Sequence, residues 1–250
     1  MSTNSKPIKS IVLAAGKGTR IQTDGCDLPK VMRLACEKPL LHYVLKETGF
    51  IPPKDTVIVV GYMKESIIES FPEHLHAEQK EQLGTGHAVK SAMPCIKDLN
   101  CDLLVCYGDM PLIKQETYSA LVDAHRNSQN ACTLLSGVSD EPLAYGRILR
   151  DENGNFQEVV EDRDCTPEQK KIKELNTGLY VFDAKELSAA LSKLKCENTQ
   201  GEYYLTDIPA IMLSNGLSVG VCKLDLGKQI IGVNTVENLI TVEDELNKRT

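Results

Sequence analysis

Short apolar runs alternate with amphipathic stretches over the first half of the chain. Four runs have the length and the flanking turn residues of buried strands, at 8–15, 56–61, 101–107 and 131–138. Stretches with helical spacing lie between and after them, at about 40–47, directly after 61 and at about 114–126. Strands that alternate with helices form parallel sheets covered on both faces. The pattern therefore predicts an α/β fold with a doubly wound, mostly parallel sheet.

The second half of the chain has a different pattern. Short strand-like segments separated by charged turns occur at 147–150, 156–161 and 178–182, and helical stretches follow at about 184–194, 203–214 and 235–248. Short strands without intervening helices suit a mixed extension of the sheet or a lid. We expect one compact domain over 1–250 that carries a small inserted β-rich lobe.

The composition narrows the class of protein. A length of 250 residues, with 42% apolar and 25% charged residues, suits one globular α/β domain. The net charge of −7 argues against nucleic acid as a partner, because binding to its backbone needs a basic face. The short apolar run at 11–15 predicts neither a signal peptide nor a membrane span. Nine scattered cysteines without a Cys-x-x-Cys pair favour a reducing, cytoplasmic compartment over a zinc site or disulfides.

A glycine-rich loop follows the first predicted strand, with Gly16 and Gly18 flanked by Lys17 and Arg20. Glycines let backbone N–H groups approach an anion closely, and ligands of open α/β sheets bind beyond the strand ends. The loop lacks the Walker pattern, and Ile21 stands where a dinucleotide fingerprint needs its third glycine. Taken alone, Gly-x-Gly could also be a tight turn. The loop therefore predicts an anion site without naming the anion.

Three further segments combine polar residues with element ends. Gly84-Thr85-Gly86 precedes a helical pattern and reads as a helix start with a close approach of the backbone. Asp109 follows a fully apolar strand and is either a turn cap or a hard-oxygen ligand for Mg²⁺. Asn234 ends another apolar run and reads as a possible N-cap of the last helix.

Leu13-Ala14-Ala15-Gly16, Gly18-Thr19-Arg20 and Leu28-Pro29-Lys30 together resemble the signature of the sugar nucleotidyltransferases. The resemblance is strongest to the N-terminal uridylyltransferase domains of the bacterial bifunctional enzymes that make UDP-N-acetylglucosamine. It extends from about residue 8 to the final helix, with the motifs in the family's order. One departure is a longer segment between Arg20 and Leu28. The resemblance implies a Rossmann-like fold of the nucleotide-diphospho-sugar transferase type, with a nucleotide-binding half at 8–138, a sugar-binding half at 139–233 and a C-terminal helix at 234–250.

The resemblance also implies roles for individual residues. Arg20 would hold the leaving phosphates and Lys30 would lie near the reacting ones, as the catalytic pair. The nucleotide would be bound by Leu13, Ala14, Ala15, Gly16, Gly18, Thr19, Gln79, Gly84 and Thr85. The sugar would be bound by Tyr107, Gly146, Glu161, Asn176 and Thr206, although the segments around Gly146 and Thr206 also read as an ordinary turn and a helix start. Mg²⁺, the implied cofactor, would be held by Asp109 and Asn234.

The implied reaction joins UTP and N-acetylglucosamine 1-phosphate, giving UDP-N-acetylglucosamine and pyrophosphate. Two alternatives stay open: the same chemistry with another sugar 1-phosphate, a polyol phosphate, CTP or dTTP, and a non-catalytic regulatory subunit. The sequence has no hexapeptide repeat of the kind that forms a left-handed β-helix, so we do not expect acetyl transfer. We expect neither a nucleic-acid nor a membrane partner. The sequence leaves the oligomeric state open.

Overall fold

The computed structural model describes residues 6–18, 28–141 and 143–249. Thr19 and Arg20, to which the sequence assigned phosphate contacts, lie outside these residues. The strands are β1 Ile8–Leu13, β2 Leu34–Ala35, β3 Lys38–Pro39, β4 Thr56–Val60, β5 Leu75–Glu78, β6 Asp102–Tyr107, β7 Cys132–Val138, β8 Arg147–Arg150, β9 Phe156–Val160, β10 Glu174–Asp183 and β11 Val219–Lys223. The α-helices are α1 Leu40–Glu47, α2 Lys64–Ser70, α3 Thr85–Ala92, α4 Gln115–Ser128, α5 Ala184–Leu191, α6 Ile208–Ser214 and α7 Val236–Asn247.

Nine strands of the described residues form one mixed, mostly parallel sheet. The main order is β11-β7-β10-β6-β1-β4-β5. Strands β8 and β9 form a hairpin, and β8 also pairs with β10. Strand β1 is parallel to β4 and β6, β4 is parallel to β5, and β11 is parallel to β7. Only β10 in this main path runs against its two neighbours. The predicted doubly wound fold and its small β-rich lobe are thus confirmed.

Helices cover both faces of the sheet because neighbouring strand residues point to opposite sides. In β1, Val12 belongs to a core cluster with residues of α1, α4 and α7, whereas Ile11 belongs to a second cluster with residues of α3, α5 and α6. Both side chains are fully buried. No helix within the described ranges has both the length and the apolar character needed to cross a bilayer.

Several element boundaries differ from the prediction. The edge strand β5 was not predicted, and β10 begins at Glu174 instead of 178. The helix expected from 203 starts as a 3₁₀ turn at Leu205–Asp207, and α6 follows from Ile208. The backbone of Tyr203 is used elsewhere: its N–H donates to the Leu83 carbonyl and its carbonyl accepts from the Gly86 N–H. That pairing keeps Tyr203 out of the helix.

Helices α5 and α7 show smaller corrections. Helix α5 ends at Leu191, short of the expected 194. Helix α7 is capped by Thr235, whose hydroxyl accepts from the Asn238 N–H at 3.2 Å. The alternative that made Asn234 the cap of this helix is therefore wrong, and the side chain of Asn234 is left to face another group.

Candidate active site

The predicted residues that the structure describes gather at the carboxyl edge of the sheet. The loop from Leu13 to Gly16 leaves the end of β1, Gln79 follows β5, and Asp109 follows β6. Because β10 runs antiparallel to β6, its first residues reach the same edge. Ligands of open α/β sheets bind in this position, beyond the carboxyl ends of parallel strands.

One cavity of about 230 Å³ opens between the glycine-rich loop and the start of α3. It is lined by Leu13, Ala14, Ala15, Gly16, Lys30, Val31, Gln79, Gln82, Gly84, Thr85, Ala88, Tyr107, Asp109 and Glu202. All the predicted nucleotide-binding residues that the structure describes, except Gly18, are in this lining. Gly18 has a φ of +65°, and a Cβ at this position would lie 2.5 Å from the Cβ of Lys30. Gly18 thus allows the loop to pack closely against Lys30.

The loop before α3 is shaped by backbone contacts and by Gln79. The side-chain amide nitrogen of Gln79 donates to the Gly84 carbonyl at 3.0 Å and lies 3.1 Å from Nδ1 of His87. Gly84 has a φ of +104°, and a Cβ there would come within 2.6 Å of the Tyr203 carbonyl oxygen. The Thr85 hydroxyl accepts from the Leu205 N–H at 3.0 Å. Gln79 therefore has a structural role in this loop besides the base contact expected of it.

A second cavity of about 230 Å³ lies between β6, the β8–β9 hairpin and the loop before α7. It is lined by Lys30, Tyr107, Asp109, Met110, Ala144, Tyr145, Gly146, Glu161, Asn176, Thr177, Gly178, Gly232 and Asn234. Of the predicted sugar-binding residues, only Thr206 is not in the lining, and its hydroxyl donates to Glu161 Oε1 at 2.9 Å. Thr206 thus contacts the cavity wall through Glu161.

Irregular backbone in β10 shapes the second cavity. The pairing of β10 with β7 shifts register between Asn176 and Tyr180, and Gly178 between them has a φ of +79°. A Cβ at Gly178 would lie 2.2 Å from the ring of Tyr107. The Asn176 amide nitrogen donates to the Tyr180 hydroxyl at 2.7 Å. This bulge therefore lets the ring of Tyr107 lie against the backbone of β10, beside the amide of Asn176.

Burial shifts the proton affinity of two groups in the second cavity. Burial raises the pKa of the Glu161 carboxyl, while the hydrogen bond from Thr206 opposes that shift. Burial, followed by the charge of Glu161, raises the pKa of Tyr107. Near neutral pH the phenol of Tyr107 is therefore protonated and able to donate. The Glu161 carboxyl accepts from Thr206 and, in either protonation state, has a further oxygen lone pair for a hydroxyl or amide N–H group.

Lys30, Tyr107 and Asp109 line both cavities and mark the place where they meet. The Lys30 ammonium forms an ion pair with the Asp109 carboxylate and donates to the side-chain oxygen of Asn234 at 3.0 Å. Lys30, Asp109 and Asn234 come from distant parts of the sequence. The side chains of Lys30 and Asp109 are only 17% and 13% exposed.

The same contacts test whether a metal ion suits the site. A carboxylate and an amide oxygen, from Asp109 and Asn234, both contact one positively charged group, the Lys30 ammonium. Hard oxygen donors of this kind are the protein ligands that Mg²⁺ prefers, with phosphate oxygens and water completing its shell. The donor set therefore fits the implied Mg²⁺.

Several lining residues were not singled out by the sequence. Gln82, Glu202 and Tyr145 each lie within a segment whose motif was recognised, close to Gln79, Thr206 and Gly146 respectively. The Gln82 amide nitrogen donates to the Gln79 carbonyl at 3.3 Å. Val31, Ala88, Met110 and Gly232 carried no chemical signal, because small and apolar residues look alike in a wall and in a core.

Comparison with known proteins places this arrangement in a class. The model of a family described as MobA-like NTP transferase domain matches residues 10–170. The bifunctional protein GlmU of Streptococcus thermophilus (strain ATCC BAA-491 / LMD-9) is 41% identical over 241 residues, 96% of this chain and 52% of that protein. GlmU of Streptococcus gordonii is 40% identical over the same shares. The chain thus spans about half the length of these relatives.

A solved structure shares the fold at low sequence identity. A candidate glucose-1-phosphate thymidylyltransferase from Bacillus anthracis, in complex with a sucrose, superposes with a TM-score of 0.71 and 20% identity, covering 95% of this chain and 94% of that one. The fold and the family match together define the class of protein, a nucleotidyltransferase. The chain belongs to the MobA-like NTP transferase domain family.

Proposed function

We propose that the chain transfers a uridylyl group from UTP to N-acetylglucosamine 1-phosphate and releases pyrophosphate. The observation that carries the proposal is the pair of cavities of about 230 Å³ that share Lys30, Tyr107 and Asp109. Two ligands, one in each cavity, would have their phosphates side by side at this junction. The similarity to GlmU proteins supports the choice of both substrates.

The first cavity is proposed to hold the nucleoside triphosphate. Its walls combine backbone and small side chains at 13–16 with two glutamine amides, from Gln79 and Gln82. Small residues let the chain approach a nucleoside closely, and amides offer the donors and acceptors that a pyrimidine edge requires. Arg20 is proposed to hold the departing phosphates, and Thr19 to contribute to the same loop.

The second cavity is proposed to hold the acceptor sugar phosphate. Glu161 and Asn176 offer polar side chains to ring hydroxyls and to an N-acetyl group, and Gly146 keeps the wall free of a side chain. A Cβ at Gly146 would lie 2.7 Å from the side chain of Val159, so the wall is built for a residue without one. An amino sugar presents the mixture of hydroxyl and amide groups that suits these partners.

The proposed step is an in-line displacement at phosphorus. A phosphate oxygen of the sugar 1-phosphate attacks the α-phosphorus of UTP, the bond to the bridging oxygen of the β-phosphate breaks, and its electron pair leaves with pyrophosphate. The attacking oxygen is already anionic near neutral pH, so no protein nucleophile takes part. The protein's contribution is to position two mutually repelling anions and to neutralise their charge.

Lys30 is the described cation at the junction that is suited to this work. Its ammonium contacts Asp109 and Asn234, the side chains that would hold Mg²⁺. Mg²⁺, when bound, would supply further neutralisation of the phosphate charge. Lys30 positions its charge from a short 3₁₀ turn, Lys30–Met32, whose Val31 and Met32 are buried. A charge held by such anchoring needs little reorganisation during the reaction.

A substrate panel tests the proposal directly. Pyrophosphate release is measured for UTP, CTP and dTTP, each combined with N-acetylglucosamine 1-phosphate, glucose 1-phosphate and a polyol phosphate. We expect the pair of UTP and N-acetylglucosamine 1-phosphate to give the highest kcat/KM. Equal turnover of UTP and CTP would refute the uracil assignment. Equal turnover of the two sugar phosphates would refute the role of the acceptor cavity in recognising the N-acetyl group, and UTP binding without turnover would favour a regulatory subunit.

A further inference from the structure

Tyr145 joins the wall of the acceptor cavity to the loop that carries Asn234. Its phenolic hydroxyl donates to the Ile230 carbonyl at 2.9 Å and accepts from the Gly232 N–H at 2.8 Å. The tyrosine lies between β7 and β8, so both bonds link segments that are far apart in the sequence. One side chain thus satisfies an acceptor and a donor of the same short loop.

The close approach at Gly232 indicates that this contact is built into the loop. A Cβ at position 232 would lie 2.9 Å from the Tyr145 hydroxyl oxygen and 3.7 Å from the carbonyl oxygen of Asp109. A larger residue would therefore push into the tyrosine. Gly232 and Tyr145 both line the acceptor cavity.

The same loop is held from its other side by the backbone after β6. The Val233 N–H donates to the Asp109 carbonyl at 2.9 Å, and Asn234 follows directly. The loop is therefore fixed between the Asp109 backbone and the Tyr145 phenol. Asn234 is held by its own N–H, which donates to Asn238 Oδ1 at 3.1 Å, and by these two attachments of the residues before it; its side-chain oxygen accepts from the Lys30 ammonium.

Tyr145 is also attached to the acceptor wall through its neighbour. The carbonyl of Gly146 accepts from the Asn176 N–H at 2.8 Å, and Asn176 lines the same cavity. A ligand bound against Gly146 and Asn176 therefore contacts the segment that carries Tyr145. The Tyr145 phenol in turn holds the 230–232 loop.

We propose that Tyr145 is a positioning residue that couples occupation of the acceptor cavity to the placement of Asn234, and hence to binding of a divalent cation. The inference rests on the proposed function for the identity of the ligands. Its structural part is the two hydrogen bonds of the phenol. Without the hydroxyl, the Ile230 carbonyl and the Gly232 N–H lose a part-buried partner, and the loop loses its attachment to the acceptor wall.

The test compares two tyrosine-to-phenylalanine variants. Tyr145→Phe removes both hydrogen bonds, whereas the matched control, Tyr43→Phe, removes the single bond from Tyr43 to the Ala35 carbonyl, 2.7 Å long and outside both cavities. Mn²⁺ is titrated by electron paramagnetic resonance, with UTP present. We expect Tyr145→Phe to weaken Mn²⁺ binding about tenfold and the control to leave it unchanged. Equal Mn²⁺ affinity in the two variants would overturn the inference.

A second variant separates positioning from a general loss of stability. In Asn234→Ala the ligand is gone, so adding Tyr145→Phe should weaken Mn²⁺ binding no further. A tyrosine that acts only on overall stability would instead add its full effect. N-acetylglucosamine 1-phosphate should tighten Mn²⁺ binding in the wild type and do so less in Tyr145→Phe; an undiminished effect contradicts the coupling.

Failure of the proposed function would look different. UTP binding is measured separately with Mg²⁺ present, and a wild type that does not bind UTP under these conditions refutes the uridylyl assignment. The Mn²⁺ titration is then carried out without nucleotide, where the same difference between Tyr145→Phe and Tyr43→Phe is expected. A difference there supports the positioning role, and equal affinities reject it.

Discussion

The two ends of the sheet both concentrate charged residues, and they use them differently. At the amino edge, Asp102 accepts from the Arg126 guanidinium at 2.7 Å, and Asp183 pairs with Lys6 at 2.5 Å while also capping α5. At the carboxyl edge, the single ammonium of Lys30 contacts both Asp109 and Asn234, between two cavities. One end pairs its charges one to one, whereas the other gathers groups around a junction.

Cavity size does not separate the two ends. The amino edge has a cavity of about 540 Å³, larger than either cavity at the carboxyl edge. Its walls include the paired residues Lys6, Asp102, Arg126 and Asp183, and His125, whose pKa burial lowers. Charges already paired with one another have little to offer a ligand. The candidate site is therefore identified by polar side chains that meet at one point, and not by the volume of its cavities.

The largest expected effect comes from substitutions at the carboxyl edge of the sheet. Asp109→Ala should lower kcat by ~10²–10³-fold, because it removes one of the two proposed Mg²⁺ ligands and with it charge neutralisation at the reacting phosphates. Lys30→Ala should have a loss of similar size for the same reason. Pyrophosphate release under saturating substrates measures both, with circular dichroism to establish that the variants fold. Activity within a few-fold of wild type in either folded variant would contradict the site.

A smaller effect, on stability alone, is expected at the amino edge. Arg126→Ala leaves the Asp102 carboxylate, whose side chain is 7% exposed, without its main partner. The free energy of unfolding should fall by about 2 kcal/mol, a typical cost for a lost hydrogen bond to a buried charge. Urea unfolding measures this loss, and kcat should stay that of wild type.

Lys6→Ala is the matched control for Arg126→Ala, because Lys6 also pairs with an acid but its side chain is 45% exposed. We expect a smaller loss of stability from this exposed pair. If Arg126→Ala lowered kcat as strongly as Asp109→Ala, it would be wrong to assign only stability to the amino edge and catalysis to the carboxyl edge.

The smallest effect concerns Asp207, which follows Thr206 beside the acceptor wall. Burial, with the charges of Asp164 and Glu158, raises the pKa of Asp207 to about 6 from 3.8. The folded state therefore favours the protonated acid, so its contribution to stability is full below pH ~4 and is lost as the pH rises through ~6. Asp207→Asn should stabilise the protein by about 1 kcal/mol at pH 8, after allowance for solvent screening, and by less at pH 4.5.

Thermal midpoints at the two pH values measure the effect of Asp207→Asn. A gain from Asp207→Asn that is equal at pH 4.5 and pH 8 would show that the substitution acts through packing and not through ionisation.

Local patterns in the sequence predicted the central strands and the residues at their ends. The buried runs 11–13 of β1 and 103–106 of β6 are apolar, so the sequence located Gly16 and Asp109 correctly beyond them. The edge strand β5 was not predicted because it is short and only partly buried. Its pairing with β4 depends on a neighbour that no local pattern shows.

Contacts between distant segments were the other part that the sequence could not supply. Asn234 suited a helix cap and a metal ligand equally well until Thr235 was found to cap α7. Tyr145 stood in a recognised segment, yet its two bonds to Ile230 and Gly232 depend on how the lobe meets the final loop. Residue type and spacing suggested which segments matter, and tertiary packing decided which atoms meet.

A crystal structure with UDP-N-acetylglucosamine and Mg²⁺ bound is the most direct test of the central claim. We expect the uracil in the cavity beside Gln79, the sugar beside Glu161 and Asn176, and the diphosphate at the junction of Lys30 and Asp109. A diphosphate bound away from that junction, or a ligand bound in the amino-edge cavity, would contradict it.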